Sequence, residues 1–243
     1  MTPRTVLIAQ ARVGSTRLPG KVLMEVWPGR SLLDLTIERL KGARMVDEIV
    51  IAIPEGAAND QVARESEAAG VSVFRGSEED VLGRYRAAAR EFGAELVVRV
   101  TADNPLLDPV TIDLHVDRMQ RCYRQADFVT NMMQQSFPYG VAVEVMPVDT
   151  LERMHRLSNT AYLREHVTTL AYEHPEWFSI EMVLDDSDRS SMRWTVDYQQ
   201  DLEFVQAVFA ALYAPGRIFD KYEILGFLAQ HPEVANINAH VCQ

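Results

Sequence analysis

Short β-branched runs alternate with amphipathic stretches through the N-terminal part of the chain, and this alternation narrows the fold more than any other feature. Thr5–Ala9, Glu48–Ile53, Val71–Phe74 and Leu96–Val100 are apolar runs of strand length. Between them, Leu32–Arg44, Asn59–Ala69 and Asp80–Phe92 carry apolar residues at i, i+3 and i+4, the spacing of a helix with one buried face. Strands separated by helices of this length predict an α/β fold, a mostly parallel twisted sheet covered by helices on both faces. The pattern then loosens. Phe128–Thr130, Val141–Val145, Ile180–Leu184 and Met192–Val196 read as further strands, some of them antiparallel and forming a small arm, and Asp201–Leu212 and Tyr222–Ala229 read as closing helices. With 243 residues and no repeat or linker, a single domain over 1–243 is expected.

The first strand runs into Ala9–Lys21, AQARVGSTRLPGK, where three cations are threaded through glycines and hydroxyls. Glycine lets backbone N–H groups approach an anion closely, and Arg and Lys neutralise phosphates. A polyphosphate site after the first strand is the physical reading. It is neither common phosphate loop: five residues separate Gly14 from Gly20, Val22 follows Lys21, and no G-x-G-x-x-G opens a helix.

Charge supports a small polyanion. The chain carries 24 Lys and Arg against 35 Asp and Glu, net −11. Residues 1–44 hold eight basic and three acidic residues, so that segment is +5 and the remainder −16. A positive focus on an acidic body suits a small phosphorylated ligand with its metal, and does not suit a nucleic acid, which needs an extended basic face. No apolar run approaches membrane-span length and the N-terminus lacks an apolar signal region, so no membrane partner and a cytoplasmic location are expected. Cys122 and Cys242, the only cysteines, read as a buried apolar residue and a tail residue.

Ligands of open α/β sheets sit beyond the carboxyl ends of the strands. Asp103 ends one apolar run and Asp197 another, so the two carboxylates are candidates for a magnesium site completed by phosphate oxygens and water. Asp197 also reads as a helix N-cap, and Ser77 with Asp80 as a capping box in which Asp replaces Glu. Arg164-Glu165-His166 lies in a helical pattern, and Met132-Met133 reads as core or pocket wall. No H-E-x-x-H or G-x-S-x-G motif occurs, which leaves a zinc protease or an elbow hydrolase without support.

The loop A-Q-A-R-V-G-S-T-R-L-P-G-K-V-L resembles the signature of the CTP-dependent sugar-acid cytidylyltransferases. The nearest branch is the SpsF-like spore-coat polysaccharide group, related to CMP-Kdo synthetase and acylneuraminate cytidylyltransferase. FRGSEEDVLGRY, VRVTADNPLLDP, REHVT and RWTVDYQQDL follow in the expected order. The resemblance implies a Rossmann-like nucleotidyltransferase fold, CTP and Mg2+, and a homodimer. By position it assigns Arg12, Arg17 and Lys21 to the triphosphate and Asp103 and Asp197 to magnesium. Gln10, Ala11, Gly76, Ser77 and Asp80 fall around the nucleoside, with Gly14 and Ser15 in the same loop. Lys21, Arg12, Arg17 and Asp103 are then the catalytic set. A sugar-acid-like acceptor would meet Asn131, Tyr139, Gly140, Glu144, Arg164 and His166, Arg164 being the partner of its carboxylate. One segment departs from the family's approximate Y-P-D-G-L-D-V-E: here Phe137–Glu144 read FPYGVAVE, with Tyr139 and Ala142 where acidic residues are common. Two other readings share these residues, a glycosyltransferase using a preformed nucleotide sugar and a non-catalytic nucleotide-binding protein.

Overall fold

In the computed structural model, which describes residues 2–241, the alternating segment folds as its pattern predicts. The first strand is β1 (Thr5–Gln10), followed by a two-stranded ribbon, β2 (Glu25–Trp27) and β3 (Arg30–Ser31), then helix α1 (Leu32–Leu40). Strand β4 (Glu48–Pro54), α2 (Asp60–Ala68), β5 (Ser72–Gly76), α3 (Val81–Glu91) and β6 (Leu96–Thr101) complete the regular part. Then come α4 (Pro109–Arg121), β7 (Phe128–Thr130), β8 (Glu144–Pro147), α5 (Val148–Leu157), α6 (Ala161–Glu165), α7 (Thr169–Glu173) and β9 (Ile180–Met182). Helices α8 (Gln199–Leu212), α9 (Lys221–Gln230) and α10 (Pro232–Ala235) follow.

One seven-stranded sheet has the order β5-β4-β1-β6-β8-β7-β9. The first four neighbours pair in parallel, and β8 runs antiparallel between β6 and β7. The central strand β1 is buried on both faces, as its unbroken apolar run requires. Leu7 and Ala9 face a core built with Leu33, Ile37, Ile112 and Val208, whereas Val6 and Ile8 face one built with Tyr85, Ala88, Leu151 and Leu170. Two helical layers therefore cover the sheet. No helix among the described residues is long and apolar enough to cross a membrane.

The expected antiparallel pairing is present: β8 runs antiparallel within the main sheet, and β2 and β3 form a separate small antiparallel ribbon. Two expected strands need correction, and one helix was not anticipated. The strand expected over Val141–Val145 begins only at Glu144, because Val141 and Val143 bond their main chain to the Asn131 side chain instead of a neighbouring strand (2.6 and 3.1 Å). Met192–Val196 is not a ladder strand; it makes isolated bonds, Trp194 N–H to Tyr139 O (2.7 Å) and Val196 N–H to Asp103 O (2.9 Å). Helix α4 was not anticipated at all, although Asp108 caps it (2.8 Å from the Val110 N–H) and Pro109 fills its first turn, a pairing that marks helix starts.

Candidate active site

The carboxyl ends of β1 and β6 open into a cleft of about 310 Å³. Ala11 leaves β1 still bonded to β4 (N–H to Ala52 O, 3.2 Å), and the chain then turns back on itself: Ser15 and Gly20 both donate to Val13 O (2.8 and 3.0 Å). The Asn59 side chain accepts from the Val13 N–H at 3.1 Å and anchors the loop to the start of α2. Among the described residues, the N–H groups of Gly14, Thr16 and Arg17 have no protein acceptor. Unsatisfied N–H groups in a tight loop form a concavity for anions.

Lys21 ends this loop and is buried. Its Nζ donates to Asp103 Oδ2 (2.7 Å), to the Val196 carbonyl (2.7 Å) and to Asp197 Oδ1 (2.9 Å). Burial pulls its pKa down, but the two carboxylates outweigh that and raise it, so the ammonium stays charged. Arg17 reaches Asp197 Oδ1 at 2.5 Å, and Arg193 donates to Asp197 Oδ2 at 3.0 Å. Burial pushes the Asp197 pKa up, yet Lys21 and Arg17 reverse the sign and hold it below the usual carboxylate range. Asp103 is oriented by the Thr101 hydroxyl (2.5 Å), itself held by Asn104 (2.9 Å). Asp197 is not the cap of α8; Asp201 does that work, accepting from the Tyr198 N–H at 3.0 Å.

The two carboxylates thus converge on one point beside an open cleft. Among the described residues no three His, Cys, Asp or Glu side chains cluster as metal ligands. A divalent cation held by Asp103 and Asp197 would draw its other oxygens from phosphate and water, which is the coordination magnesium favours.

The sequence-assigned residues divide. Gln10, Ala11, Arg12 and Ser15 line the cleft with Arg17 and Lys21, and His166 lines it too. Gly76, Ser77 and Asp80 do not line it. Asp80 caps α3 (2.8 Å from the Gly83 N–H), Ser77 Oγ accepts from the Asp80 N–H (3.0 Å), and so the cap is Asp80 and not Ser77. Arg164 also lies outside the lining and pairs with Asp80 at 3.3 Å. Asn131 is buried and braces the 141–143 backbone. Gly140 has φ +102° and packs so tightly that a Cβ there would stand 2.5 Å from the Thr195 nitrogen. Tyr139 turns its ring to Arg193, 5.1 Å away.

Glu144 is 3% exposed and fully engaged: Oε1 accepts from Thr168 (2.8 Å) and Tyr172 (2.5 Å), and Oε2 pairs with Arg99. It is Arg99 that lines the cleft. Arg84 and Thr101 also line it and were not anticipated. The signals were present. Arg99 interrupts an otherwise apolar strand, and Arg84 sits at helical spacing with the buried Val81, Tyr85 and Ala88. Arg39 was missed as well: 3% exposed, it donates to the carbonyls of Leu106 (3.4 Å), Leu107 (3.2 Å) and Phe219 (3.0 Å), fixing the segment after Asp103, and burial lowers its pKa to about 10.

Comparison with known proteins agrees with the motifs and the fold. The profile of the family described as cytidylyltransferase matches residues 6–225. An uncharacterized protein of Methanocaldococcus jannaschii is 33% identical over 242 residues, covering 97% of this chain and 95% of its own. The spore coat polysaccharide biosynthesis protein SpsF of Bacillus subtilis is 31% identical over 212 residues, covering 84% of this chain and 85% of its own. The solved structure of a cytidylyltransferase from Leptospira borgpetersenii superposes with a TM-score of 0.92 at 29% identity, covering 96% of this chain and 97% of that one. Taken with the loop sequence after β1 and the cleft it lines, these matches mean that the chain belongs to the cytidylyltransferase family.

Proposed function

We propose that the chain transfers CMP from CTP to a hydroxyl of a sugar-acid-type acceptor, releasing pyrophosphate, in the assembly of a surface polysaccharide or glycoconjugate. The observation that carries this reading is the convergence of Asp103 and Asp197 on Lys21 beside a loop with free N–H groups. The acceptor oxygen attacks the α-phosphorus, the bond from that phosphorus to the bridging oxygen of pyrophosphate breaks, and the hydroxyl proton passes to water. Asp103 and Asp197 would hold Mg2+, which when bound neutralises phosphate charge and lowers the pKa of the attacking hydroxyl. Lys21, Arg12 and Arg17 stabilise the charge that grows on the α-phosphate and the departing pyrophosphate. Positioning and charge do most of the work in such transfers. The same reading puts the enzyme in the cytoplasm as a homodimer.

Pyrophosphate release from each of the four ribonucleoside triphosphates, with Mg2+ and a panel of nonulosonic and ulosonic acids, tests it. Release is expected only with CTP, metal and a sugar acid together. A protein that transfers from a preformed nucleotide sugar, or that binds CTP without releasing pyrophosphate for any acceptor, would overturn the reading.

A further inference from the structure

Most cations around the cleft are matched to carboxylates: Lys21 and Arg17 to Asp103 and Asp197, Arg99 to Glu144. Two are not. Arg12 is exposed on the phosphate loop, and among the described residues it has no hydrogen-bond or ion-pair partner. Arg84 is only 3% exposed, yet its one acceptor is the carbonyl of Ser77, and its Nε is buried with no partner. No carboxylate lies within ion-pair reach of it among the described residues. Burial depresses the Arg84 pKa; Tyr85, Glu78 and Asp80 oppose that at longer range without reversing it, and the charge of Arg12 depresses it further.

A buried guanidinium without a counter-charge is costly, and breaking up such a pairing by removing the anion is strongly destabilising elsewhere. Arg84 is nevertheless held in place. Its stem lies against Gly76, where a Cβ would come within 3.0 Å of Arg84 Cγ, and the Ser77 carbonyl fixes one end of the fork. Gly76, at the end of β5, leaves the space that the Arg84 stem and the Phe74 ring occupy, 3.0 and 3.1 Å from where a Cβ would stand. The cation is pre-set on the cleft wall, and among the described residues Glu78 and Asp80 act on it only at longer range, with no carboxylate in ion-pair contact.

We infer that Arg84 extends the cationic set of the cleft beyond Lys21, Arg17 and Arg12, and that beside Arg12 it takes phosphate oxygens of the nucleotide. Two guanidinium groups lining one cleft with no carboxylate in ion-pair contact suit a multiply charged occupant, and polyphosphate is one. A neutral base ring in the same place would leave the buried Arg84 guanidinium without an ion-pair partner. The inference rests on the nucleotide-transfer reading for its ligand, but its test does not depend on turnover.

Calorimetric titration of the wild type, Arg84→Gln and Arg84→Lys with pyrophosphate, CTP and cytidine decides it. Arg84→Gln should weaken pyrophosphate and CTP by about tenfold or more while leaving cytidine unchanged, as expected for loss of a charge-assisted bond to phosphate. Arg84→Lys should recover part of the loss. Without ligand, the thermal midpoint of Arg84→Gln should equal or exceed that of the wild type, since an uncompensated buried charge is removed; a merely structural arginine would lower it. Equal weakening of cytidine and CTP would assign Arg84 to the base, and unchanged pyrophosphate affinity would remove it from the site; either overturns the inference. A wild type that binds neither pyrophosphate nor CTP overturns it too. A wild type that binds pyrophosphate through Arg84 but turns over no CTP would leave the subsite standing and defeat the transfer reading instead.

Discussion

Arg193 meets Asp201 along one whole edge of its guanidinium, Nε to Oδ1 at 2.9 Å and Nη2 to Oδ2 at 3.0 Å, and Asp201 is completely buried. Through the same Nη2, Arg193 also reaches Asp197 Oδ2 at 3.0 Å. Asp201 further accepts from the Asp197 and Tyr198 N–H groups (3.0 Å each) and from Asn238 (2.9 Å). One buried carboxylate thus orients the backbone and, through Arg193, the side chain of Asp197. Asp201→Ala should lower stability by about 3–5 kcal/mol, because it strands a buried guanidinium and two N–H groups. Urea unfolding measures this; a loss below 1 kcal/mol would mean that solvent replaces the carboxylate.

Asp103→Asn and Asp197→Asn should each abolish most turnover. An amide cannot carry the charge that a hard cation or the Lys21 ammonium requires, and losing it should cost ~3 kcal/mol of transition-state stabilisation, about two decades in rate. Circular dichroism and kcat at saturating Mg2+ separate folding from chemistry. Near-normal kcat in either variant removes that residue from the metal assignment.

Lys21→Ala should reduce kcat more than it raises the KM for CTP. Charge on the transferring and leaving phosphates grows as the reaction proceeds, so a fixed cation matters most at the transition state. A raised KM with unchanged kcat would make Lys21 a ground-state binding cation only.

The central sheet and the Arg- and Gly-rich loop after β1 were legible because both are local in sequence: β1, β4, β5 and β6 announce themselves by apolar runs, and Lys21 lies directly after its loop. Asp103 and Asp197 could be singled out as strand-end carboxylates, but their meeting at one ammonium joins residues far apart in the chain, which no periodicity encodes. The acceptor side was the least legible. Glu144 was assigned by its place in a motif, whereas its burial beside Arg99, Thr168 and Tyr172 is set by the antiparallel insertion of β8, a tertiary choice. Arg164 likewise pairs with Asp80, a contact between separate helix segments that no local pattern encodes.

Stability should fall between neutral pH and pH 4, with His115 among the causes. His115 is fully buried, with Nδ1 2.7 Å from the Thr111 carbonyl and no partner at Nε2, and burial lowers its pKa to about 4. The unfolded chain takes up a proton near pH 6.5 and the folded chain does not until near 4, so the unfolded state binds more protons between them and stability declines as pH falls. The contribution should reach roughly 2 kcal/mol by pH 5. Unfolding free energies of the wild type and His115→Gln at pH 7 and pH 5 check it: the wild type should lose more than the variant, and parallel losses would clear His115.

Tyr139 stands where the related motif commonly carries an acidic residue, yet its ring faces Arg193 and not the cleft lining. Its main chain is tied to the segment that bears Arg193, N–H to Met192 O at 2.8 Å and O from the Trp194 N–H at 2.7 Å. An aspartate at this position would offer Arg193 a new carboxylate in competition with Asp197, whose Oδ2 depends on that guanidinium. Tyr139→Asp should therefore lower kcat by about tenfold through misplacement of Asp197, to the same extent for every accepted sugar acid. The acceptor order should not change, because the substituted group reaches the chemistry only through Arg193. Measuring kcat and acceptor KM for several acceptors in Tyr139→Asp and in Tyr139→Phe separates the possibilities. The phenylalanine variant keeps the ring under the guanidinium and should stay close to wild type. A reordering of acceptor preference in Tyr139→Asp, with kcat retained for the best of them, would put residue 139 in contact with the acceptor itself.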